Sequence, residues 1–421
     1  MKIALLSIGD EVLTGQILDR NLQYMASAFF RSGYKVHSQR VCGDAIEILV
    51  STLQELYQTS DIVITTGGLG PTSDDRTKEA ISKSLCVPLL RDAAVAAQLQ
   101  EQWGADLSSL DEQATVPQGA QILPNALGTA PGFILPQERG FAIFLPGVPA
   151  ELQAHFSQLV LPFIQKTFPL KAPWHSREIA FCLASENAIF AHLEPLERAY
   201  PNIEFGIYPR FSHIKVLLRA QQGDTTAFLQ ETQPIVDQLE RELPQLVYTK
   251  EAQSIEEVLI ALFQGQKIKL ALAESCTGGR IAARLVSVPG ASECLEAGLV
   301  TYSNRAKQHL LGIPEALLET HGAVSEETAK AMVAGALQVT QADLALSITG
   351  IAGPQGGTQE KPVGTVFIAI GNRTQESVVQ KIPLPHNVDR AYYIDACSSF
   401  ALYALWQQVR FGILDLSALA L

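Results

Sequence analysis

Apolar residues along this chain fall into short runs that end on glycine, proline or acidic residues. Between them lie stretches whose apolar positions recur every three to four residues. Runs of the first kind read as buried strands, and stretches of the second as helices with one apolar side. By this rule residues 2–8, 35–41 and 61–66 are strands, with helices at 21–31 and 45–57 between them. A helix runs to Leu85, a strand occupies 141–145, and a long helix starts at Pro149 and reaches about Phe168. This alternation predicts a parallel sheet covered by helices. Pro169 and Pro173 then mark a break. A strand at 176–183, a helix at 186–199, a hairpin at 203–208 and 213–219, a helix at 225–242 and a strand at 246–249 follow. That order suits a small split α+β sheet. From Ser254 the α/β pattern returns. It gives a capped helix to Phe263, strands at 268–273, 298–302, 342–349 and 366–370, helices at 280–288 and 325–340, and a closing helix at 387–410.

A chain of 421 residues exceeds one ordinary core. The pattern divides it into segments 1–168, 172–250 and 254–412. Apolar content of 47% with 18% charged residues describes a globular protein. A net charge of −12 argues against general nucleic-acid binding, which needs a basic surface. The cysteines at 42, 86, 182, 276, 294 and 397 form no CxxC pair, the usage of a reducing compartment. The apolar run at the N-terminus stops at Gly9-Asp10-Glu11, too short for a signal peptide or a span, so a cytoplasmic location with no membrane attachment is expected.

In a parallel sheet ligands collect at the carboxyl ends of strands. There the first segment places Gly9-Asp10-Glu11 and Thr65-Thr66-Gly67-Gly68-Leu69-Gly70-Pro71-Thr72-Ser73-Asp74-Asp75. Gly67, Gly68 and Gly70 allow a phosphate to approach the backbone. Asp74 and Asp75 would repel it unless a divalent cation lay between, so the loop suggests a metal-bridged phosphate or pyrophosphate. The plainer reading is that both aspartates cap the next helix. No Gly-Lys-Ser/Thr follows, and the third glycine of a dinucleotide fingerprint is missing. Two more turn-rich segments are Asn125-Ala126-Leu127-Gly128-Thr129-Ala130-Pro131-Gly132 and Pro146-Gly147-Val148-Pro149-Ala150-Glu151. Glu151 is either a helix-dipole partner or a ligand group. Together these four segments resemble the molybdopterin-binding-type domain of the CinA family. The resemblance implies metal-dependent hydrolysis of ADP-ribose. Carried onto these positions, Gly67, Gly68, Gly70, Thr72, Asn125 and Gly147 bind phosphate. Asp10, Glu11, Asp74, Asp75 and Glu151 hold magnesium or a similar divalent ion.

The middle segment corresponds to the family's KH-like piece. It lacks the GXXG clamp and basic surroundings, which disfavours RNA binding and leaves a spacer or dimerisation role. Arg210 reads as a turn residue.

In the third segment the apolar run at 268–273 leads into Glu274-Ser275-Cys276-Thr277-Gly278-Gly279 and a helix. A serine on such a strand-to-helix turn is either a cap or a nucleophile beside unpaired helix amides. Cys276 is a rival nucleophile without an evident base. His309 and His321 form no triad with Ser275, so the available base is Lys307. A lysine acts as base only when burial or a positive neighbour, here Arg280 or Arg390, lowers its pKa. The sequences Ala273-Glu274-Ser275-Cys276-Thr277-Gly278-Gly279, Tyr302-Ser303-Asn304-x-x-Lys307, Gly322-Ala323-Val324-Ser325 and Thr349-Gly350-Ile351-Ala352-Gly353-Pro354 resemble the C-terminal CinA domain. That resemblance implies deamidation of nicotinamide mononucleotide without a metal. Ser275 attacks the carboxamide, Lys307 takes its proton, and Tyr302 and Asn304 orient the lysine or the amide. Amides around Thr277, Gly278 and Gly279 hold the oxyanion, while Thr349, Gly350, Gly353 and Arg390 bind the nucleotide. Ile394 stands where many relatives carry a second arginine. A homodimer is likewise a family expectation. The alternatives are a molybdopterin-binding or adenylyl-transferring first domain, and a non-catalytic interaction protein in DNA uptake or damage response.

Overall fold

A computed structural model describes residues 1–104, 109–210, 213–382, 384 and 389–414. It has two compact units, Met1–His175 with Gln221–Thr225, and Ser176–Ala220 with Thr226–Leu421.

In the first unit the strands are β1 (Ile3–Ile8), β2 (Val36–Cys42), β3 (Ile62–Thr66), β4 (Leu89–Arg91), β5 (Thr115–Pro117), β6 (Gln121–Leu123), β7 (Gly132–Gln137) and β8 (Gly140–Leu145). Six of them form one sheet in the order β2-β1-β3-β8-β7-β6, and β4 pairs with β5 alone. β2, β1, β3 and β8 run parallel, while β7 and β6 are antiparallel additions at one edge. β1 and β3 are buried along their whole length because both faces are covered, which is why they read as unbroken apolar runs. Ala4, Leu6 and Val63 face the core beneath the helices Ile46–Thr59 and Thr77–Leu85. Ile3, Leu5, Ile62 and Ile64 face the opposite core, filled by Leu22, Met25 and Phe29 of helix Arg20–Arg31 and by Leu152 and Phe156. From β1 the chain winds outward to β2 on one side and to β3 on the other. The crevice at their carboxyl ends is therefore the topological switch point.

The helix expected from Pro149 to Phe168 is interrupted. It is α-helical over Pro149–His155, π-helical over Phe156–Val160 and α-helical again over Leu161–Thr167. Pro162 supplies no N–H to this stretch, so a regular ladder cannot pass through it.

Apart from Trp174, His175 and Gln221 at strand ends, the second unit holds β9 (Trp174–Cys182), β10 (Glu204–Arg210), β11 (His213–Gln221) and β12 (Val247–Thr249), a four-stranded sheet ordered β10-β11-β9-β12. A five-stranded sheet follows, made of β13 (Leu270–Glu274), β14 (Leu295–Val300), β15 (Leu344–Gly350), β16 (Val366–Asn372) and β17 (Val378–Lys381), ordered β14-β13-β15-β16-β17. β14, β13 and β15 are parallel and β16 and β17 antiparallel, so the second switch point lies beside the end of β13. The two sheets share apolar packing. Ala180, Cys182, Leu183 and Tyr248 of the middle segment belong to the same core as Phe263, Leu402 and Trp406. The Tyr248 ring lies 5.2 Å from that of Tyr403 and 6.4 Å from that of Trp406. The closing helix is Arg390–Phe411, and its expected start at Asn387 lies outside the described residues. No described helix is long and apolar enough to cross a membrane.

Helix Glu326–Thr340 crosses helix Asn304–Leu311 at Gly335, where a Cβ would stand 2.2 Å from the Leu311 carbonyl oxygen and 2.7 Å from Leu311 Cβ. A backbone contact so close cannot be relieved by turning one side chain. Gly335→Ala should therefore cost about 1–3 kcal/mol of stability. Urea unfolding followed by the fluorescence of buried Trp406, with Trp103 and Trp174 changed to Phe, would measure it.

Candidate functional site

Ser275 stands one residue beyond β13, and its N–H still bonds the Ile348 carbonyl at 3.0 Å, so the sheet fixes its backbone. The chain then turns through Gly278 at φ 60° and Gly279 at φ 95°, conformations that glycine adopts without a steric penalty. Glu274, with no exposed surface, folds back over this turn. Its carboxylate accepts from Thr277 Oγ1 at 2.7 Å and from the amides of Gly279, Ile281 and Ala282 at 3.0, 3.1 and 2.8 Å. Gly278 N–H bonds the Ser275 carbonyl at 3.1 Å. The amides of Cys276 and Thr277 are left without a protein acceptor among the described residues. They, rather than Gly278 and Gly279, are the donors available to an oxyanion beside Ser275.

Helix Asn304–Leu311, capped by the Ser303 hydroxyl at 3.1 Å from Ala306 N, carries Lys307 inward. Lys307 is 1% exposed. Its Nζ lies 2.9 Å from Ser275 Oγ and donates to the Thr301 carbonyl at 2.8 Å. No carboxylate pairs with it among the described residues. Burial without a counter-ion disfavours the ammonium and brings its pKa down from 10.5 to about 8. Of the two causes considered for such a shift, burial acts. Arg280 is paired with Asp395, and Arg390 donates to the Gly353 carbonyl and to Tyr302 Oη, the latter at 2.9 Å.

Tyr302 is exposed and held by Arg390 at the surface. Asn304 is exposed at the start of its helix and bonds neither Ser275 nor Lys307. Thr349 is buried and its hydroxyl donates to the Ala323 carbonyl at 2.7 Å, a bond that ties β15 to the loop before helix Glu326–Thr340. Gly350 leaves room for Cys276, whose Sγ would lie 3.2 Å from an added Cβ. The Cys276 thiol is thus packed into the core. Ile394 is half-buried on the closing helix. Thr301 and Glu274 are contributors that sequence reasoning did not single out. Thr301 acts through its main chain, which leaves no mark in the sequence. Glu274 carried a signal, an acidic residue just ahead of a helix entrance.

In the first unit a cavity of about 370 Å³ opens at the switch point. It is lined by the expected Glu11, Gly67, Gly68, Gly70, Asp74, Asp75, Gly147 and Glu151, together with Asp44, Asn21 and Thr129. Asp10 lies just behind it. Its N–H donates to the Asp44 carboxylate at 2.9 Å and its own carboxylate accepts from Asp44 N at 3.3 Å. Thr72 does not line the cavity, since its N–H and hydroxyl both bind the Asp75 carboxylate. Asn125 is also behind the wall. Its Nδ2 donates to Glu151 Oε2 at 2.7 Å, while its Oδ1 accepts from Leu127 N and Gly128 N, both at 3.0 Å. It therefore positions Glu151 and leaves no free atom for a phosphate.

Among the described residues five carboxylates line this cavity, and no lysine, arginine or histidine does. Burial raises the Asp44 pKa, the hydrogen bond from Asp10 N–H opposes it, and the carboxylates of Asp10, Glu11 and Asp74 add to it by repulsion. Clustered hard oxygen donors in a cavity that no cationic side chain lines fit a divalent cation, Lys78 reaching only Asp75 from outside it. Among the described residues no three of them converge as ligands, so an ion here would take at most two carboxylates and fill its shell from water or phosphate oxygens.

Two family descriptions match the chain, "CinA C-terminal domain" over residues 252–409 and "Probable molybdopterin binding domain" over residues 4–166. A CinA-like protein of Citrifermentans bemidjiense is 39% identical over 377 residues, which cover 88% of this chain and 89% of that one. The chain belongs to the CinA family. A Caldicellulosiruptor bescii member, named as competence-damage inducible, is 36% identical over 97% of this chain and 99% of its own. The solved structure of the competence/damage inducible protein CihA from Agrobacterium tumefaciens matches 36% of this chain and 91% of its own, at 38% identity and a TM-score of 0.35. The fold is accordingly mixed α/β, with a molybdopterin-binding-like first domain and a CinA C-terminal domain.

Because the folded pKa of Lys307, about 8, lies below its ordinary 10.5, the unfolded chain holds a proton between those values that the folded one has lost. Stability relative to Lys307→Met should rise across that interval, and at pH 7 the methionine variant should be about 1–3 kcal/mol more stable. Denaturation of both proteins at pH 7 and pH 10 would measure this. The rate at which a fluorophosphonate labels Ser275 should climb about tenfold per pH unit below pH 8 and level off above it.

Proposed function

We propose that the chain is a two-site hydrolase of pyridine-nucleotide fragments, with a Ser275–Lys307 amidohydrolase acting on nicotinamide mononucleotide in its C-terminal domain. The single observation that carries this reading is the buried Lys307 Nζ at 2.9 Å from Ser275 Oγ with no carboxylate beside it. The substrate's identity rests on the family resemblance. In this reading Ser275 Oγ attacks the carboxamide carbon while Lys307 takes the hydroxyl proton. The developing oxyanion accepts from the amides of Cys276 and Thr277. Collapse of the tetrahedral adduct breaks the C–N bond, Lys307 returns the proton to nitrogen, and ammonia leaves. Water then attacks the ester, giving its proton to Lys307, which restores it to Ser275 as nicotinate mononucleotide departs. The Thr301 carbonyl holds Nζ in place throughout. In this reading Arg390, which bonds Tyr302 Oη and the Gly353 carbonyl, would meet the substrate phosphate.

For the first domain we infer a metal-dependent ADP-ribose pyrophosphatase. Two of the carboxylates among Glu11, Asp44, Asp74, Asp75 and Glu151 would hold the ion, with water and phosphate oxygens completing its shell, and when bound it would offset phosphate charge and polarise the phosphoryl group. Gly67, Gly68 and Gly70 let the pyrophosphate approach the main chain. A second reading, a molybdopterin-type ligand, is favoured by the family description of residues 4–166. Cytoplasmic location and a homodimer complete the proposal.

Ammonia release from nicotinamide mononucleotide, measured with EDTA present, should proceed in the wild type and fall on the order of 10³-fold or more in Ser275→Ala. No release from the wild type would reject the amidase, and retained activity in the variant would transfer the nucleophile to Cys276. Hydrolysis of ADP-ribose should require added magnesium and drop about tenfold or more in Asp74→Asn. Tighter saturable binding of molybdopterin than of ADP-ribose would select the second reading.

A further inference from the structure

The two groups that hold the buried Nζ of Lys307, the Ser275 hydroxyl and the Thr301 carbonyl, are both neutral. Charges on the surrounding elements are engaged elsewhere. In the nucleophile turn, Glu274 is occupied by a hydroxyl and three amides. Beside Cys276, burial keeps Tyr393 and Cys397 of the closing helix neutral. Arg280 pairs with Asp395, and Arg390 bonds Tyr302 Oη and the Gly353 carbonyl. Glu326 pairs with Lys330, Glu327 lies beside His321, and Lys361 Nζ donates to the His321 carbonyl. Arg305 and His309, on the lysine's own helix, are exposed. Among the described residues the one side chain whose charge bears on Lys307 is Cys276, which as a thiolate would hold the ammonium. None of these groups would offset a second positive charge brought into the site.

A carboxamide attacked by Ser275 must bring its carbonyl carbon to about 3–3.5 Å from Oγ, and Oγ lies 2.9 Å from Nζ. The ring of the substrate is bonded directly to that carbon. A positive charge on the ring nitrogen therefore arrives within roughly 10 Å of Nζ, whichever way the ring turns. At that separation two like charges inside a protein repel enough to change a proton's binding constant about tenfold or more. We propose that a carboxamide ligand with a positively charged ring drives the proton off Lys307 as it binds, so that the substrate itself readies the base. The N–H bond of the ammonium breaks with its electron pair left on Nζ, and a base in the solvent takes the proton. Before binding, the lysine's pKa of about 8 leaves the ammonium predominant at pH 7, and the serine has no base beside it. The charge of a pyridinium amide removes that restraint, whereas a neutral aromatic amide leaves it in place. The proposal deepens the amidase reading and rests on it for the substrate's identity, while the linkage itself needs only a cationic ring in this site.

Two ligands that cannot be hydrolysed test this. One is the mononucleotide of 3-acetylpyridine, whose ring is cationic, and the other its neutral isostere with carbon in place of the quaternary nitrogen. Both carry the same ketone, ribose and phosphate, so their difference isolates the ring charge. Calorimetry on the full chain at pH 7.5, in two buffers of different ionisation enthalpy, should show the cationic ligand releasing about half a proton more than the isostere. Raising the pH removes the proton beforehand, so the affinity ratio should move about tenfold toward the cationic ligand between pH 6 and pH 9. In Lys307→Met the ratio should stay level. Equal proton release by the two ligands, or a wild-type ratio that is flat with pH, would overturn the proposal, as would failure of both to bind. A ratio that moves equally in Lys307→Met would also overturn it, by assigning the linkage to another group. The wild-type ratio decides even if the methionine variant is unstable, because a flat one refutes the proposal. Ammonia release from nicotinamide mononucleotide with a flat ratio would strike the linkage and leave the amidase standing. A moving ratio without ammonia release would retire the amidase reading and leave the linkage in place.

Discussion

A lysine ammonium is stable in water and unstable in a protein interior, and the C-terminal site is built around that difference. Lys307 is held by a backbone carbonyl and a serine hydroxyl, neither of which stabilises a full positive charge as a carboxylate would. The neighbourhood follows from this requirement. Helix Asn304–Leu311 must lie close enough to β13 for Nζ to reach Oγ, and Gly335 permits that approach from behind. The only adjacent carboxylate in the nucleophile turn, Glu274, is occupied by a hydroxyl and three amides. It anchors the helix entrance without neutralising the base.

The first cavity is assembled on the opposite principle. Among the described residues no lysine, arginine or histidine lines it, although Lys78 lies within electrostatic reach of Asp75, and small residues make space for its carboxylates. Added Cβ atoms at Gly9, Gly70 and Gly128 would fall 2.5, 2.5 and 2.4 Å from carboxylate atoms of Glu11, Asp75 and Glu151 respectively. These glycines are therefore part of the acidic site even though they contribute no polar group. Substitution at any of them would move an acid without changing the charge of the cavity.

The parts of the molecule that were legible in the sequence are those where residue type and chemistry coincide. β1 and β3 could be read because both faces are buried and every position is apolar. Ser275 and Lys307 could be paired because a serine on a strand-to-helix turn without a histidine leaves a lysine as base. Edge strands were placed less well. β14 alternates between half-buried and exposed positions and begins at Leu295, three residues before its expected start. Thr301 and Asp44 were missed because each matters through a contact set by the tertiary fold. Asn304 makes no hydrogen bond to Lys307 among the described residues, and Thr72 and Asn125 turn out to brace carboxylates. A motif shows which residues a loop contains, whereas the direction each one faces depends on its neighbours in space.

The shared core of the middle and C-terminal segments bears on how this chain can be divided. A cut at residue 252, where the C-terminal family description begins, would separate Tyr248 and Cys182 from Tyr403 and Trp406. The freed helix face would present large aromatic rings to water, a surface prone to self-association. For a recombinant fragment, the boundary that preserves solubility is thus the one upstream of Ser176, with the middle sheet retained as the cover of the domain behind it.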